Sequence, residues 1–365
     1  GEMLATSAEE VGLITRRRVY LMIGTSCSIY EIAVMKKSLL ALAALTAFAG
    51  AASAQSSVTL FGVVDLNLRN VDNGSAGSRK TMSQDGNASS RLGFRGIEDL
   101  GGGLQAGFWI EGGISADTGA AGGANGIPGA AAATWNRRAT ASLIGGFGEI
   151  RLGRDYTPTF WSNTAYDTFG TNGVGSATNY WSSLGSGAVT QVRANNTVAY
   201  HLNAGGLWVW LQVAPGENQP GNKYTGGRVN YAAGPFAVAV AAGKTDIGAS
   251  PDFKEFNLAG SFDAGFAKFI ALYGKNDWGS DTQKRYSFHV QAPVGAATLK
   301  LSYAKTQGDS PVAARKDIWD ATQLAMGVVY DLSKRTALYA HYSRLDNGGS
   351  ATTGADNCGI TRSEN

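Results

Sequence analysis

The residues that most often carry out catalysis are few in this chain and lie far apart in the sequence. Three histidines, His201, His289 and His341, each stand alone in a strand-like segment without a recognisable serine or aspartate partner motif. Covalent catalysis needs a nucleophile, a base and an orienting group close together, so we expect no enzymatic activity. The two cysteines, Cys27 and Cys358, form no zinc-type motif with a histidine. We therefore expect no metal site and no cofactor.

The sequence does contain charged side chains at alternating positions, and these can act on ions and polar solutes. In the segment 149–154 every second residue is apolar and the others are charged or glycine, which predicts a strand with one apolar and one wet face. Arg91, Arg138 and Arg193 fall on the polar faces of their own alternating segments, with Arg137 as a neighbouring alternative to Arg138. Arginines held on one wall create a field that acts on ions and polar solutes.

A long segment without a strand pattern, residues 155–180, follows the first of these strands. Loops longer than about 12–15 residues are usually functional or disordered. Aromatic side chains argue against disorder here, because they normally need something to pack on. They are Tyr156, Phe160, Trp161, Tyr166 and Phe169. We predict that this loop folds into a β-barrel and narrows it, with the arginines facing it across a gap.

The elements that must position these residues are β-hairpins. From residue 57 onward, alternating runs of about ten residues are joined in turn by short glycine-containing turns and by longer polar loops. Tight hairpin turns favour Gly, Asn and Asp because they need positive φ. Short turns are predicted at 98–102, 145–148, 203–206, 233–235, 263–265, 293–295 and 332–335. Longer loops are predicted at 70–87, 116–134, 215–222, 244–251, 276–283 and 306–316.

This asymmetry of turns and loops predicts an all-β fold, an antiparallel transmembrane β-barrel. A β-sandwich also alternates, but its inner face is the apolar one and its turns are more even. About fifteen strands can be counted from Val58, and bacterial barrels close with an even number. The C-terminal strand is therefore predicted to be missing through truncation or a frameshift near Asn357. The alternative is an open edge on the N-terminal strand.

The composition agrees with one large β domain. Glycine is abundant at 50 residues, whereas proline numbers only 8. The mean hydropathy of -0.11 looks like that of a soluble protein. A transmembrane barrel has a similar value, because its lumen-facing residues offset its lipid-facing ones. The formal net charge of +3 is small and its basic residues are dispersed, so we expect no nucleic-acid partner.

The N-terminal region carries a targeting signal. Residues 35–54 combine a positive start, an apolar run and an A-x-A site, which predicts a cleaved secretory signal peptide. The alternative is a short transmembrane helix, although the apolar run falls short of about 20 residues. Residues 1–34 are interpreted as an upstream extension that is not native, with Met35 as the initiator. The barrel would then span 55–357, followed by a divergent tail at 358–365.

Three separated motifs occur in an order that resembles a known family. They are SVTLFGVVD at 57–65, SSRLGFRGIEDLGGGL at 89–104 and LGRDYTP at 152–158. In these motifs the chain resembles the general porins of β-proteobacteria, the group that includes Burkholderia, Bordetella and Neisseria porins. The resemblance implies a homotrimer of sixteen-stranded barrels whose third outer loop folds inward. Family members end on a strand with a C-terminal phenylalanine, and this sequence lacks both.

The resemblance also implies which residues line the constriction of the pore. Arg91, Arg138 and Arg193 would form the basic wall, and Asp155 and Asp167 would be the acidic residues of the inward loop. Charges of opposite sign across a narrow waist orient polar solutes, and a net positive rim favours anions. The alternative for each arginine is a solvated lumen residue with no special effect.

The function implied is that of an outer-membrane porin, a water-filled channel for passive diffusion of ions and small hydrophilic solutes. Loop 155–180 would be the constriction, and small anionic or polar solutes would be preferred. The expected surroundings are outer-membrane lipid and lipopolysaccharide. A surface adhesin or ligand-binding barrel is the alternative, because long outer loops suit binding as well. A porin specific for one solute is a third possibility.

Overall fold

The computed structural model describes residues 57–74, 77–121, 134–315 and 317–348. The predicted signal peptide at 35–54, the upstream extension 1–34 and the tail 358–365 lie outside the described residues. The strands are β1 (Ser57–Val63), β2 (Leu66–Asp72), β3 (Ser78–Gln84), β4 (Arg91–Gly101), β5 (Leu104–Ser115), β6 (Ala120–Ala121), β7 (Arg138–Gly145), β8 (Gly148–Tyr156), β9 (Arg193–Ala204), β10 (Leu207–Ala214), β11 (Lys223–Ala233), β12 (Phe236–Asp246), β13 (Phe253–Asp263), β14 (Lys268–Trp278), β15 (Asp281–Val294), β16 (Ala297–Asp309), β17 (Ala321–Asp331) and β18 (Ala337–Asn347).

One large antiparallel sheet contains nearly all of these strands. Its order is β1-β4-β5, then β7 through β18 in sequence, so fifteen strands follow one another and β6 pairs at the side of β5. The strands β2 and β3 form a separate two-stranded sheet within the first long connection. The predicted fold class and the predicted strand count of about fifteen are confirmed.

Side chains alternate between the two faces along most strands of this sheet, and the outward set is mainly apolar. Ile270 and Leu272 of β14 are exceptions, because they face inward and pack with Tyr166 of the long loop after β8. In β13, Leu258 is 46% exposed, whereas its neighbour Asn257 is 1% exposed. Phe256 is likewise exposed and Glu255 is buried. A soluble sandwich would bury the apolar face instead. The inward polar face and outward apolar face are the arrangement that a barrel in lipid requires.

The predicted short turns are all present, and two of the predicted long loops are mostly strand. Segment 70–87 contains the end of β2, all of β3 and their hairpin, because the two strands pair with each other over seven positions. Segment 276–283 is not a long loop, since β14 and β15 continue to pair as far as Trp278 and Asp281. Only two residues, 279 and 280, connect these strands.

The two ends of the sheet path meet at Asp65, which lies between β1 and β2. Its carboxylate accepts the backbone N–H groups of Gly86, Asn87 and Ala88 at 3.2, 2.9 and 2.8 Å. The phenol of Tyr339, on β18, donates to the same carboxylate. A single buried acid therefore joins the beginning of the sheet to its last described strand.

In the part of the chain that the structure describes, the helical elements with full bounds are one short helix and three 3₁₀ turns. Helix α1 (Pro158–Ala165) begins with Thr157, whose hydroxyl accepts the N–H of Phe160 at 3.4 Å. The 3₁₀ turns span Ala177–Tyr180, Gly216–Asn218 and Ala313–Arg315. No helix in the described ranges has the length and apolar character of a membrane span.

The outward face predicts how charge is tolerated on it. Leu258 is central in β13, on the face that the sequence assigns to hydrocarbon. We expect Leu258→Arg to lower the free energy of unfolding by about 2–4 kcal/mol, whereas Leu258→Phe leaves it nearly unchanged. Urea unfolding in lipid vesicles measures both. Equal stability of the two variants would show that this face does not meet lipid.

Candidate functional site

A long loop leaves the sheet after β8 and returns to it at β9. It spans residues 157–192, so it begins two residues later and ends twelve residues later than the predicted segment 155–180. The difference at the start arises because Asp155 and Tyr156 still pair with Ala194 and Arg193 of β9. The loop carries helix α1 and most of the buried aromatic residues.

Aromatic stacking gives this loop a core of its own. The ring of Tyr156 stacks on Phe160 at a centroid distance of 5.3 Å, and Phe160 stacks on Trp181 at 5.8 Å. The guanidinium of Arg285, on β15, lies 5.0 Å from the Trp181 ring. Burial also raises the pKa of the loop's Tyr180 phenol, so this side chain stays neutral. The prediction that these aromatic residues order the loop agrees with this packing.

Buried amide side chains hold the loop against the inner wall of β14 and β15. The Asn276 amide donates to the backbone oxygen of Ser182 at 2.6 Å, and the Gln283 oxygen accepts the Ser182 N–H at 3.0 Å. The Gln283 amide nitrogen also donates to the backbone oxygens of Tyr180 and Trp319, at 3.1 and 3.2 Å. One glutamine therefore ties together the loop, β15 and the connection before β17.

Further amides fix the loop along β13 and β17. Asn257 donates to the backbone oxygen of Thr159 at 3.2 Å, and the Thr159 hydroxyl donates to the carboxylate of Glu255 at 3.2 Å. Gln323, on β17, donates to the backbone oxygen of Val174 at 3.0 Å. These partners all belong to the inward polar face, so the loop lies on the inner side of the sheet, as predicted.

The far side of the loop contacts the segment that precedes β4. The Ser89 hydroxyl donates to the side-chain oxygen of Asn172 at 2.7 Å. Gly173 adopts a φ of +64°, and a Cβ at this position would lie 2.1 Å from the backbone oxygen of Gly86. Only glycine permits this approach. The loop thus extends from β8 across the interior to the opposite end of the sheet path.

The predicted Arg193 and its neighbour Arg137 meet at the base of the loop. Nη2 atoms of both side chains donate to the phenolic oxygen of Tyr156, at 2.7 Å from Arg137 and 2.8 Å from Arg193. The Arg193 guanidinium also stacks 4.2 Å from the Tyr156 ring centroid and donates to the backbone oxygen of Arg137 at 2.9 Å. Arg137, the alternative named beside Arg138, is therefore part of this site.

The predicted Arg91 joins the same wall through Glu111 of β5. The Glu111 carboxylate accepts from Nε of Arg137 at 2.5 Å and lies 3.9 Å from Nε of Arg91. It also accepts the indole N–H of Trp109 at 3.1 Å. Arg95 stacks on this indole at 5.0 Å. Glu111 was not predicted as a site residue, although its alternation with Trp109 indicates that both share the inward face.

Arg138 and Asp155 lie on the same wall and contact each other. Nε of Arg138 is 3.5 Å from the Asp155 carboxylate, which also accepts from Nη1 of Arg151 at 2.8 Å. Arg151 in turn donates to Glu149 at 2.8 Å. Asp155 belongs to β8 and not to the loop, so the prediction that it is a loop acid is wrong. It partly neutralises the arginines from within their own wall.

Arg151 and Asp155 lie on one face of β8 by regular alternation, opposite a bulge in β9. Two residues of β9, Asn195 and Asn196, lie opposite the single residue Arg154, and Asn196 has a φ of +55°. The pairing with β9 shifts between Gly153 and Asp155. Gly153 has a φ of +122°, and a Cβ there would lie 2.1 Å from the backbone oxygen of Ala139, so a side chain does not fit. Arg154, opposite the bulge, donates to Asn195 at 2.5 Å.

Asp167 lies on the loop but uses its carboxylate to shape the loop itself. One oxygen accepts the N–H of Phe169 at 2.9 Å, and the other accepts those of Thr171 and Ala177 at 3.0 and 2.9 Å. His289 lies 3.9 Å away. Asp167 is 6% exposed. Its predicted role as an acid facing the arginines across the gap is not tested by these contacts and stays a prediction.

The three histidines belong to different strands, β9, β15 and β18. His201 packs 4.7 Å from the ring of Trp210, and His341 lies 3.1 Å from the backbone oxygen of Gly86. Within the described ranges, no cluster of three or more His, Cys, Asp or Glu side chains could hold a metal ion.

Comparison with known proteins identifies clear relatives. Residues 41–350 match the Gram-negative porin family. The chain is 42% identical to outer membrane porin protein 32 of Delftia acidovorans, over 89% of this chain and 94% of that protein. It is 27% identical to an outer membrane porin of Bordetella pertussis, over 86% and 95% of the two chains. The solved anion-selective porin from Comamonas acidovorans gives a TM-score of 0.72 at 37% identity, covering 83% of this chain and 92% of that one.

The amide contacts predict that Gln283 fixes the position of the loop. Gln283→Ala leaves the buried N–H of Ser182 and two backbone oxygens without this partner. We expect the free energy of unfolding to fall by about 1–3 kcal/mol, and the current through a planar bilayer to become noisier. Gln307→Ala, on the exposed face of β16, is the control. Unchanged noise and stability in Gln283→Ala would contradict this role.

Proposed function

Because this chain belongs to the Gram-negative porin family and forms a channel in the outer membrane, we propose that loop 157–192 is the constriction and that the arginine wall makes the pore prefer anions. The supporting observation is an excess of positive charge on one inner wall. Its arginines are Arg91, Arg95, Arg137, Arg138, Arg151 and Arg193. Its carboxylates are Glu111, Glu149 and Asp155.

The wall acts on ions because its charges are only half neutralised. Six guanidinium groups face three carboxylates, and the guanidinium of arginine stays charged at any physiological pH. In a narrow passage between low-dielectric walls, such an excess attracts anions and repels cations more strongly than on an open surface. The hydrogen bonds to Tyr156, Glu111 and Asp155 hold the guanidinium groups in place.

This proposal differs from the sequence prediction in the position of the acids. That prediction places Asp155 and Asp167 on the loop, opposite the arginines. Asp155 lies among the arginines, and Asp167 binds backbone N–H groups of the loop. The selectivity proposed here therefore depends on the net charge of the wall, and a field between opposed charges is secondary to it.

Two further features support the proposal. The Comamonas relative is described as an anion-selective porin, and the similarity covers most of both chains. Among the relatives named above, each is called a porin. This favours a channel over the adhesin or ligand-binding barrel that the sequence left open, and passive diffusion over catalysis.

We also propose that the protein is a homotrimer that contacts outer-membrane lipid and lipopolysaccharide. The trimer is implied by the family resemblance. Light scattering of the purified protein, with the detergent contribution subtracted, measures the mass of the complex. We expect three times the mass of the mature chain, and the mass of a monomer or a dimer would reject this part of the proposal.

The arginine wall predicts a change of ion selectivity. The double variant Arg91→Ser plus Arg193→Ser removes two of the six positive charges. The reversal potential in a KCl gradient across a planar bilayer gives the chloride-to-potassium permeability ratio. We expect this ratio to fall roughly twofold or more.

The matched control is Arg335→Ser, in the short turn between β17 and β18. It removes a positive charge that is remote from the wall, so we expect the permeability ratio to stay the same. If the double variant conducts with the selectivity of the unmodified protein, the wall does not determine anion preference.

A further inference from the structure

Five lysines form a continuous row on the outer face of β12 to β16. Lys244 lies directly opposite Lys254, and Lys275 lies directly opposite Lys284. The pairing of β13 with β14 places Lys254 diagonal to Lys275, and that of β15 with β16 places Lys284 diagonal to Lys305. We call these five residues the lysine row. Side chains directly opposite on a sheet are about 5 Å apart and diagonal ones about 7–8 Å apart, so each lysine neighbours the next.

The row points away from the pore. The residues that flank it along the strands, such as Thr245, Glu255 and Gln283, are buried on the inward face. The side chains of Lys244 and Lys275 are 54% and 37% exposed. Below the row, the same outer face is apolar and aromatic, with Phe256, Leu258, Tyr273, Tyr286 and Tyr303.

The row lies at the end of the barrel that carries the loops. Two of the three connections at this end, 247–252 and 310–320, are longer than those at the opposite end, 234–235, 264–267 and 295–296, and the third, 279–280, has only two residues. In outer-membrane barrels the tight turns face the periplasm and the longer connections face the outside. The row is therefore at the level of the outer leaflet head groups.

The lysines exceed the acids available to them. Lys244 pairs with Asp252 at 3.0 Å, and Lys275 pairs with Asp277 at 2.8 Å. Asp309 also lies on this face, at the end of β16. The other three lysines form no ion pair with any residue that the structure describes. Lys254 lies directly opposite Asp277, which pairs with Lys275. Like charges directly opposite on a sheet are destabilising, so an anion from outside the chain would offset the repulsion that these acids leave in each pair.

A groove opens at one end of the row. Its volume is about 390 Å³, which suits a small polar group. It is lined by Thr225, Ala242, Lys244, Lys254, Phe256 and Asp277, among others. Its lining combines the ammonium groups of Lys244 and Lys254 and the Thr225 hydroxyl with the carboxylates of Glu255 and Asp277, so a phosphate bound here would lie between the two ammonium groups.

We propose that the lysine row binds the diphosphorylated disaccharide head group of lipopolysaccharide. One phosphate would lie between Lys244 and Lys254, and the other between Lys275 and Lys284. The two pairs are separated by two strand spacings, about 10 Å, which is comparable with the length of a disaccharide. Lysine binds phosphate as a point charge, and basic pockets at membrane surfaces bind lipid head groups. The aromatic belt below would face the acyl chains.

This proposal names the site for the lipopolysaccharide contact under Proposed function and rests on it. A second copy of the chain is a poorer occupant, because the same face would bring lysine against lysine. Zwitterionic phospholipid is also poorer, since its head group carries one phosphate with a compensating positive charge.

The test compares lipids that differ by one phosphate. Purified full-length protein is titrated in detergent with diphosphoryl lipid A and with monophosphoryl lipid A. The unmodified protein should prefer the diphosphoryl form and lose this preference at high salt. Equal affinities would overturn the proposal, and this comparison needs no variant.

Variants then locate the site. K244Q/K254Q/K275Q/K284Q should weaken binding of diphosphoryl lipid A by roughly tenfold or more, and each pair alone should abolish the preference over the monophosphoryl form. The corresponding Lys→Arg variant should retain binding. If the quadruple Gln variant binds as the unmodified protein does, the row is not the site.

The control places the charge change of one lysine pair, two Lys→Gln substitutions, at the opposite end of the barrel. K268Q/K334Q lies at the short turns and should leave lipid affinity unchanged; an equal loss would show a general charge effect and overturn the proposal. Single-channel conductance of every variant is recorded as well. Loss of lipid A binding with normal conductance supports the site, whereas a failure of the pore proposal would change conductance or selectivity while lipid binding persists.

Discussion

Hydrocarbon offers no hydrogen-bond partners, so each backbone N–H and C=O group that enters it must be paired within the protein. This chain meets the constraint with fifteen consecutive antiparallel strands. Once the backbone is paired in this way, side chains have only two directions, outward or inward. Apolar residues such as Leu258 and Leu301 occupy the outward direction. The polar residues are left with the interior, which explains why arginines and amides are buried there in numbers unusual for a protein core.

The constriction follows from the same constraint. Buried amides on the inner wall need partners, and a loop with unpaired backbone groups needs partners as well. Asn257, Asn276 and Gln283 satisfy both needs at once, because each donates to a backbone oxygen of the loop. The aromatic stack of Tyr156, Phe160 and Trp181 then fills the space that remains between loop and wall. The loop is therefore an internal lining of the sheet.

Local patterns were sufficient to predict the strands of the large sheet but not β3, and they also predicted the tight turns, the polar faces of Arg91, Arg138 and Arg193, and an ordered aromatic loop. Contacts between distant residues were not predictable in this way. Ser182 and Gln283 are 101 positions apart, and no spacing in the sequence links them. Asp155 is part of a strand because β9 pairs with it, although the residues around it contain turn-forming types. Asp167 resembles a pore acid in sequence, yet its carboxylate is occupied by three backbone N–H groups.

The side chains that hold the loop in position, such as Asn257, Asn276 and Gln283, are neutral amides. The arginine wall, in contrast, consists of charged side chains. Dissolved salt screens exposed charges beyond about 10 Å at 0.1 M, but it hardly affects a buried hydrogen bond between an amide and a carbonyl. In a bacterium that passes from fresh to brackish water, the width of the constriction would thus stay the same. The preference of the pore for anions over cations would weaken, whereas its exclusion of large solutes would not change.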